Sequence, residues 1–263
     1  MVLEYLAWGP GNVASISSKF FPQPEEKVND GNGKKPSGIT RYTLKRLRKL
    51  ESAGYIQMKQ VDNLRRNLGS DSHIVVLQAM GAREVVLRFN YDPENIRQSL
   101  PNPPETFHDI MVASTIRKIM DESRNDLYKI EYLHTEHYVK KLHGRNGRGK
   151  GYFFPDCRAR IVPHKGAALV VDLEVDAGSM GRSQLFTKIV SFKNATLIVC
   201  PNAARLKKIF HDLTDGQAKM PKNPLPAQLY LTLWNDFVKE GFRFGKVFDF
   251  HTGDLGVMPI VLR

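Results

Sequence analysis

Cysteine is almost missing. Cys157 and Cys200 are the only two in 263 residues, and each sits inside an apolar, strand-like run. Two thiols exclude a disulfide framework and an all-cysteine zinc site, and both read as reduced packing residues. Long apolar runs are missing too: no stretch of 18 or more occurs, so no membrane-spanning helix is expected. The opening MVLEYLAWGPGNV lacks the basic flank and apolar stretch of a secretory signal, which leads us to expect a cytoplasmic location. Acidic residues are in deficit, 27 against 39 Lys and Arg, for a formal charge of +12. That imbalance favours a polyanionic partner through counterion release, although charge alone does not name it.

What is present begins with a basic helix. At 263 residues and 41% apolar, the chain can form one large core or two ordinary ones. GITRYTLKRLRKLESAGYI offers Thr40 as an N-cap, Leu44, Leu47 and Leu50 at helical spacing, and Gly54 as a stop. Arg41, Lys45, Arg46, Arg48 and Lys49 fall largely off that stripe. Upstream, VLEYLAW and NVASISSKFF read as short helices split by Gly9-Pro10-Gly11; downstream, YIQMKQV and SHIVVLQ read as strands around DNLRRNLGSD. Three helices and a basic hairpin spell a winged helix-turn-helix. Its third helix would enter the major groove, with Arg65 and Arg66 of the wing on a phosphate or in the minor groove. A solvated helix face is the plainer alternative for the helix alone; helix, glycine stop and wing together favour double-stranded DNA. Residues 22–38, PQPEEKVNDGNGKKPSG, form a polar insertion where a tight turn is usual, and mobility is expected there.

After the helical AMGAREVVLRF, the prolines of NYDPENIRQSLPNPPETF mark a linker. The expected division is a winged-helix domain over 1–92, a linker over 93–106 and an α/β domain over 107–263. In the last, FHDIMVASTIRKIMDE and LYKIEYLHTEHYVKKL read as helices, followed by the basic loop HGRNGRGKG and the strands YFFPDCRARIV and AALVVDLEVD. Helix SQLFTKIVSF, strand ATLIVC and helix AARLKKIFHDL come next, and the alternation implies an α/β sheet with parallel crossovers. The tail adds a helix around Leu229 to Val238 and two closing strands.

In LVVDLEVD, Asp172, Glu174 and Asp176 share one strand face while Val171, Leu173 and Val175 take the other. Successive acids lie about 6.6 Å apart along the strand, close enough to repel and to require a counter-charge. A hairpin turn at PHKGA would bring Asp156, after Pro155, alongside. A metal ion between the strands would satisfy the set. Pro-Asp followed by an acid at the end of the next strand resembles the restriction-endonuclease-like nucleases, whose second half is normally Asp or Glu, any residue, then Lys. Here Asp176 takes the lysine's place. Some members carry that lysine on the following helix, where Lys188 lies with Gln184 and Ser191 opposite Leu185, Phe186, Ile189 and Val190. The resemblance implies Mg²⁺ held by Asp156 and Glu174, with Asp176 or Asp172 as an extra ligand. It also implies Lys188 orienting or deprotonating the attacking water, and His108 as an auxiliary residue. Three readings stay open: an intact metal site, a degenerate nuclease fold, and an unrelated sheet with solvated edge acids.

The order of winged helix, FHDIMVA, Pro-Asp strand, LEVDAG, Lys188 helix and TLIVC resembles the replication-relaxation family of plasmid and mobile-element proteins, over roughly Ile39 to Ile209. The resemblance implies DNA binding in replication or transfer of a mobile element, with a nuclease-like second domain; the leading expectation from the carboxylates is that this domain is an Mg²⁺-dependent endonuclease or nickase. The alternative is a non-catalytic replication initiator or transcription regulator on the same architecture; RNA or ribosome binding ranks third. Cutting both strands would call for a homodimer. Lys140, Lys141, Arg145, Arg148 and Lys150, in and beside the glycine loop, are phosphate-contact candidates set against a merely solubilising loop. GRNGRGKG ends in Gly151 instead of Ser or Thr, which argues against a P-loop, and His134, His137 and His143 read as a polar helix face instead of a zinc site. Trp8 and Trp234 read as core residues.

Overall fold

The computed structural model describes residues 1–21, 41–61, 73–98, 105–125, 127–143, 153–244 and 246–257. Contacts divide the chain into two compact units, Met1–Ala113 and Ser114–Arg263. Thr40, the 22–38 insertion, wing residues Arg65 and Arg66, and loop residues Arg145, Arg148 and Lys150 lie outside the described residues.

In the first unit α1 (Val2–Leu6), β1 (Gly11–Asn12), α2 (Val13–Phe20), α3 (Arg41–Ser52), β2 (Ile56–Gln60), β3 (His73–Leu77) and α4 (Ala79–Phe89) follow in order. The three strands form an antiparallel sheet in the order β1-β3-β2. Asn12 starts α2 by accepting a hydrogen bond from Ser15 N at 2.6 Å, which satisfies one of the orphan amides of the first turn. Gly54, at φ +76°, ends α3 in the left-handed conformation, and Tyr55 N closes back onto Leu50 O at 3.0 Å. Leu47 and Thr43 are fully buried on α3, whereas Leu44 and Leu50 are only half-buried. The inward stripe therefore centres on Thr43, whose hydroxyl meets that of Ser17 on α2 at 2.9 Å. Gly81 lets α4 lie on the start of β2, because a Cβ there would stand 2.1 Å from Tyr55 O. Trp8 is buried beside Tyr91, ring centres 5.1 Å apart. Within the 93–106 segment, Pro93–Asn95 form a 3₁₀ turn, Ile96 is buried, and Arg97 N donates to Ala7 O at 3.2 Å.

Helix α5 (Thr106–Arg124) carries the division between the units. The second unit continues with β4 (Tyr128–Thr135), α6 (Glu136–His143), β5 (Cys157–Pro163), β6 (Leu169–Val175), α7 (Arg182–Val190), β7 (Ala195–Cys200), α8 (Ala203–Lys219), β8 (Leu229–Leu233), α9 (Trp234–Phe244), β9 (Lys246–Asp249) and β10 (Leu255–Val257). Seven strands build one sheet in the order β10-β9-β8-β7-β6-β5-β4. Strands β4, β5 and β6 are a meander of antiparallel neighbours; β6, β7 and β8 run parallel. Leu185, Phe186 and Ile189 of α7 and Ile209 and Leu213 of α8 pack on Ile198 and Leu231 of the sheet. At this coarse level the mixed α/β reading of the second unit holds.

Two segments differ from expectation. Leu127 to Leu142, read as one helix, is strand β4 followed by the short α6, because Tyr128, Ile130 and Tyr132 alternate with exposed Lys129 and Glu131. A bulge between Ile130 and Tyr132 shifts that alternation, so Leu133 is buried along with Tyr128 and the strand period is obscured. Leu229 to Leu233, expected at the start of a helix, is strand β8, and α9 begins only at Trp234. LYLTL is a short apolar run whose helix or strand nature its neighbours decide, and here it pairs between β7 and β9.

Candidate functional site

The acids of β6 are buried: Asp172 and Glu174 expose nothing and Asp176, just past the strand, 1%. Each has its own cation. Arg158, directly across on β5, donates through Nε and Nη2 to the two oxygens of Asp172 at 2.6 and 3.1 Å, and Asn194 Nδ2 adds a bond of 2.9 Å. Asp176 accepts from Gly178 N at 2.7 Å and from Arg205 Nη2 of α8 at 2.6 Å; the same guanidinium holds Met180 O at 3.0 Å. Glu174 receives Lys188 Nζ at 2.5 Å. The counter-charge that the acidic row requires is thus supplied locally, since buried charges persist when paired and hydrogen-bonded.

Asp156 stands one residue ahead of β5, where continuing the register sets it opposite Glu174. Its Oδ2 accepts from Val175 N at 2.7 Å, and its backbone oxygen accepts from Glu136 N at 2.9 Å. Glu136, Asp156 and Glu174 therefore occupy neighbouring positions on three adjacent stretches of chain. Lys188 faces them all. Burial alone would lower its pKa, but the charges of Asp156 and Glu174, the Glu174 hydrogen bond and the charge of Glu136 together hold it above the ordinary lysine value. Lys188 is therefore an ammonium at neutral pH. It reaches this point because α7 buries Leu185, Phe186 and Ile189, and Lys188, one turn on from Gln184, projects along the same sheet face as Glu174.

Asp156, Glu174 and Lys188, expected as a set, are thus brought together. His108 lies in the first unit, with Nδ1 3.4 Å from Asp109 Oδ1; Arg97 occupies the other oxygen of Asp109 at 2.6 Å. Glu136 was missed, because its segment was read as mid-helix; the signal available was the alternating run ahead of it, followed by an acid in the first turn of a new helix. Glu136 is partly exposed and pairs with Lys140 at 2.6 Å. Among the described residues, no three His, Cys, Asp or Glu side chains converge closely enough to cage an ion by themselves. Two buried carboxylates with a third at the rim do supply hard oxygen donors of the kind Mg²⁺ takes while keeping several waters. His134, from the earlier histidine group, stacks between Tyr132 and Tyr138 at 4.6 and 4.3 Å. Cys157 and Cys200 are buried thiols whose pKa burial pushes up, Asp156 and Asp172 adding to the rise at Cys157, so both are inert at neutral pH.

On α3 of the first unit, Lys45, Arg46, Arg48 and Lys49 are all exposed, and Arg41 begins the helix. Lys140 and Lys141 are exposed on α6.

The sequence model of the replication-relaxation family matches residues 27–197, about two thirds of the chain. This chain belongs to that family. The replication-relaxation match runs from ahead of α3 into β7 and so includes Asp156, Glu174 and Lys188, while Arg205 and everything from α8 onward fall beyond it. Membership suggests a function related to replication or to mobile elements. No curated protein and no solved structure gives a significant match. Among the described residues, no helix is long and apolar enough to cross a membrane.

Proposed function

We propose that the protein docks on duplex DNA through a winged helix in its first unit and hydrolyses a phosphodiester at Asp156, Glu174 and Lys188 of a nuclease-like second unit. The observation that carries the reading is the 2.5 Å bond from Lys188 to Glu174 with Asp156 beside them, which unites three residues from the β5 entrance, β6 and α7. This is the Pro-Asp, acid and displaced-lysine pattern of the restriction-endonuclease-like resemblance. Asp156 and Glu174 would hold Mg²⁺, with Glu136 at the solvent side; the ion, when bound, supplies Lewis-acid polarisation of the phosphate. Lys188, as an ammonium, orients the nucleophilic water and offsets charge building on the phosphoryl oxygens. Asp176 and Asp172 are tied to Arg205 and Arg158, so they shape the sheet end instead of ligating. For docking, the order of α1, β1, α2, α3 and the β2–β3 hairpin, with the cations of α3 facing solvent, supports major-groove contact by α3.

A second reading has its own observation. Each acid of the β6 row already has a cation partner, the arrangement expected of a site that no longer takes a metal; the protein would then be a DNA-binding initiator or regulator. Incubating supercoiled plasmid with the protein and Mg²⁺ or Mn²⁺ separates the two. We expect nicking that Asp156→Ala and Glu174→Ala abolish; intact plasmid under all conditions would overturn the nuclease reading and support the regulator.

A further inference from the structure

The exposed face of α3 holds one cation differently from the rest. Arg46 donates through Nε and Nη2 to the hydroxyl of Tyr42, one turn earlier, at 2.9 and 2.7 Å, and its guanidinium carbon lies 5.1 Å from the tyrosine ring centre. The ring is steadied in turn by Phe21, edge to face at 5.6 Å and 75°. Among the described residues, Lys45, Arg48 and Lys49 of the same helix have no comparable hold. Tyr42 is 52% exposed, so its hydroxyl and outer ring edge stand at the helix surface beside Arg46.

We propose that Tyr42 is a positioning residue that presents Arg46 to a guanine in the major groove. The inference rests on the winged-helix reading of the first unit. A surface arginine ordinarily spreads over many rotamers and loses that freedom on binding; the Tyr42 hydroxyl removes part of the loss beforehand. The partner's chemistry matters. A carboxylate one turn away would also hold the guanidinium but would cancel its attraction for DNA, whereas a phenol holds it and leaves the full charge. Of the five guanidinium N–H groups, Nε–H and one on Nη2 go to Tyr42. The terminal edge remains, with parallel N–H groups on Nη1 and Nη2, and that fork matches O6 and N7 of guanine. The tyrosine hydroxyl accepts both bonds and acts on the DNA only through Arg46.

Full-length protein, its Tyr42→Phe variant and its Arg46→Lys variant are each used to select duplexes from a randomised pool, and the winners are compared in competition binding at fixed salt. Tyr42→Phe deletes a single exposed oxygen, and an unchanged melting temperature verifies that the fold is kept. Wild type is expected to enrich guanine at one fixed position. Tyr42→Phe should weaken that preference about fivefold and Arg46→Lys about tenfold. Affinity for random duplex and its salt slope should stay at the wild-type level in Tyr42→Phe. Full guanine preference in Tyr42→Phe, or its absence in wild type that still binds duplex, overturns the proposal alone. Failure of wild type to bind any duplex overturns the winged-helix reading and this proposal with it.

Discussion

Arg158 and Asp172 form an ion pair whose carboxylate is wholly buried and whose guanidinium is partly exposed. Asp172 has no exposed surface, and the arginine supplies two of its three hydrogen bonds. Replacing Arg158 with Met leaves a carboxylate stranded in apolar surroundings, and denaturant unfolding should register a loss of about 3–5 kcal/mol. Adding Asp172→Leu should restore most of it, because exchanging the whole pair for apolar residues removes the desolvation cost instead of exposing it. Which acids met which cations was only partly legible in the sequence. Lys188 could be found because helical spacing set it apart from Leu185, Phe186 and Ile189. Arg158 and Arg205 could not, since the first partnership depends on the β5–β6 register and the second on where α8 packs. Glu136 was hidden by a misjudged element, not by its own chemistry.

Helix α7 positions Lys188, and its seat depends on α8. At Gly216 a Cβ would stand 2.3 Å from Phe186 Cδ2, so the two helices approach as closely as they do only because that side chain is a hydrogen. Gly216→Ala should cost about 1–3 kcal/mol of overpacking by denaturant unfolding. On the proposed nuclease reading it should also slow plasmid nicking at temperatures where the variant is fully folded, because relief of the clash moves Phe186 and Lys188 together. Wild-type nicking by a destabilised Gly216→Ala would mean that Lys188 has slack. At this scale the sequence was a good guide wherever a glycine or a clean period marks the element: Gly54 ends α3, and the β5–β6 hairpin and the parallel step to β7 follow from alternating and continuous apolar runs. It misled in β4, where the bulge breaks the period, and in β8, where five apolar-rich residues fit either structure until their neighbours choose.

Over the whole molecule the formal charge of +12 predicts binding that is steeply sensitive to salt. If Lys45 and Lys49 each meet a phosphate, the double variant Lys45→Ala with Lys49→Ala should flatten the slope of log affinity against log salt by about 1.8, at about 0.9 per contact. Fluorescence anisotropy on a duplex between 50 and 200 mM salt, about the span over which such slopes are read, checks this. An unchanged slope would remove Lys45 and Lys49 from the phosphate contacts. The sheet of the second unit carries a different collective property. Its border strand β4 is bent by the bulge after Ile130 and turns Lys129 and Glu131 outward. A crooked, charged margin is a poor template for recruiting a further strand. Copies at high local concentration can therefore stand side by side without their sheets fusing into a continuous ribbon through that margin.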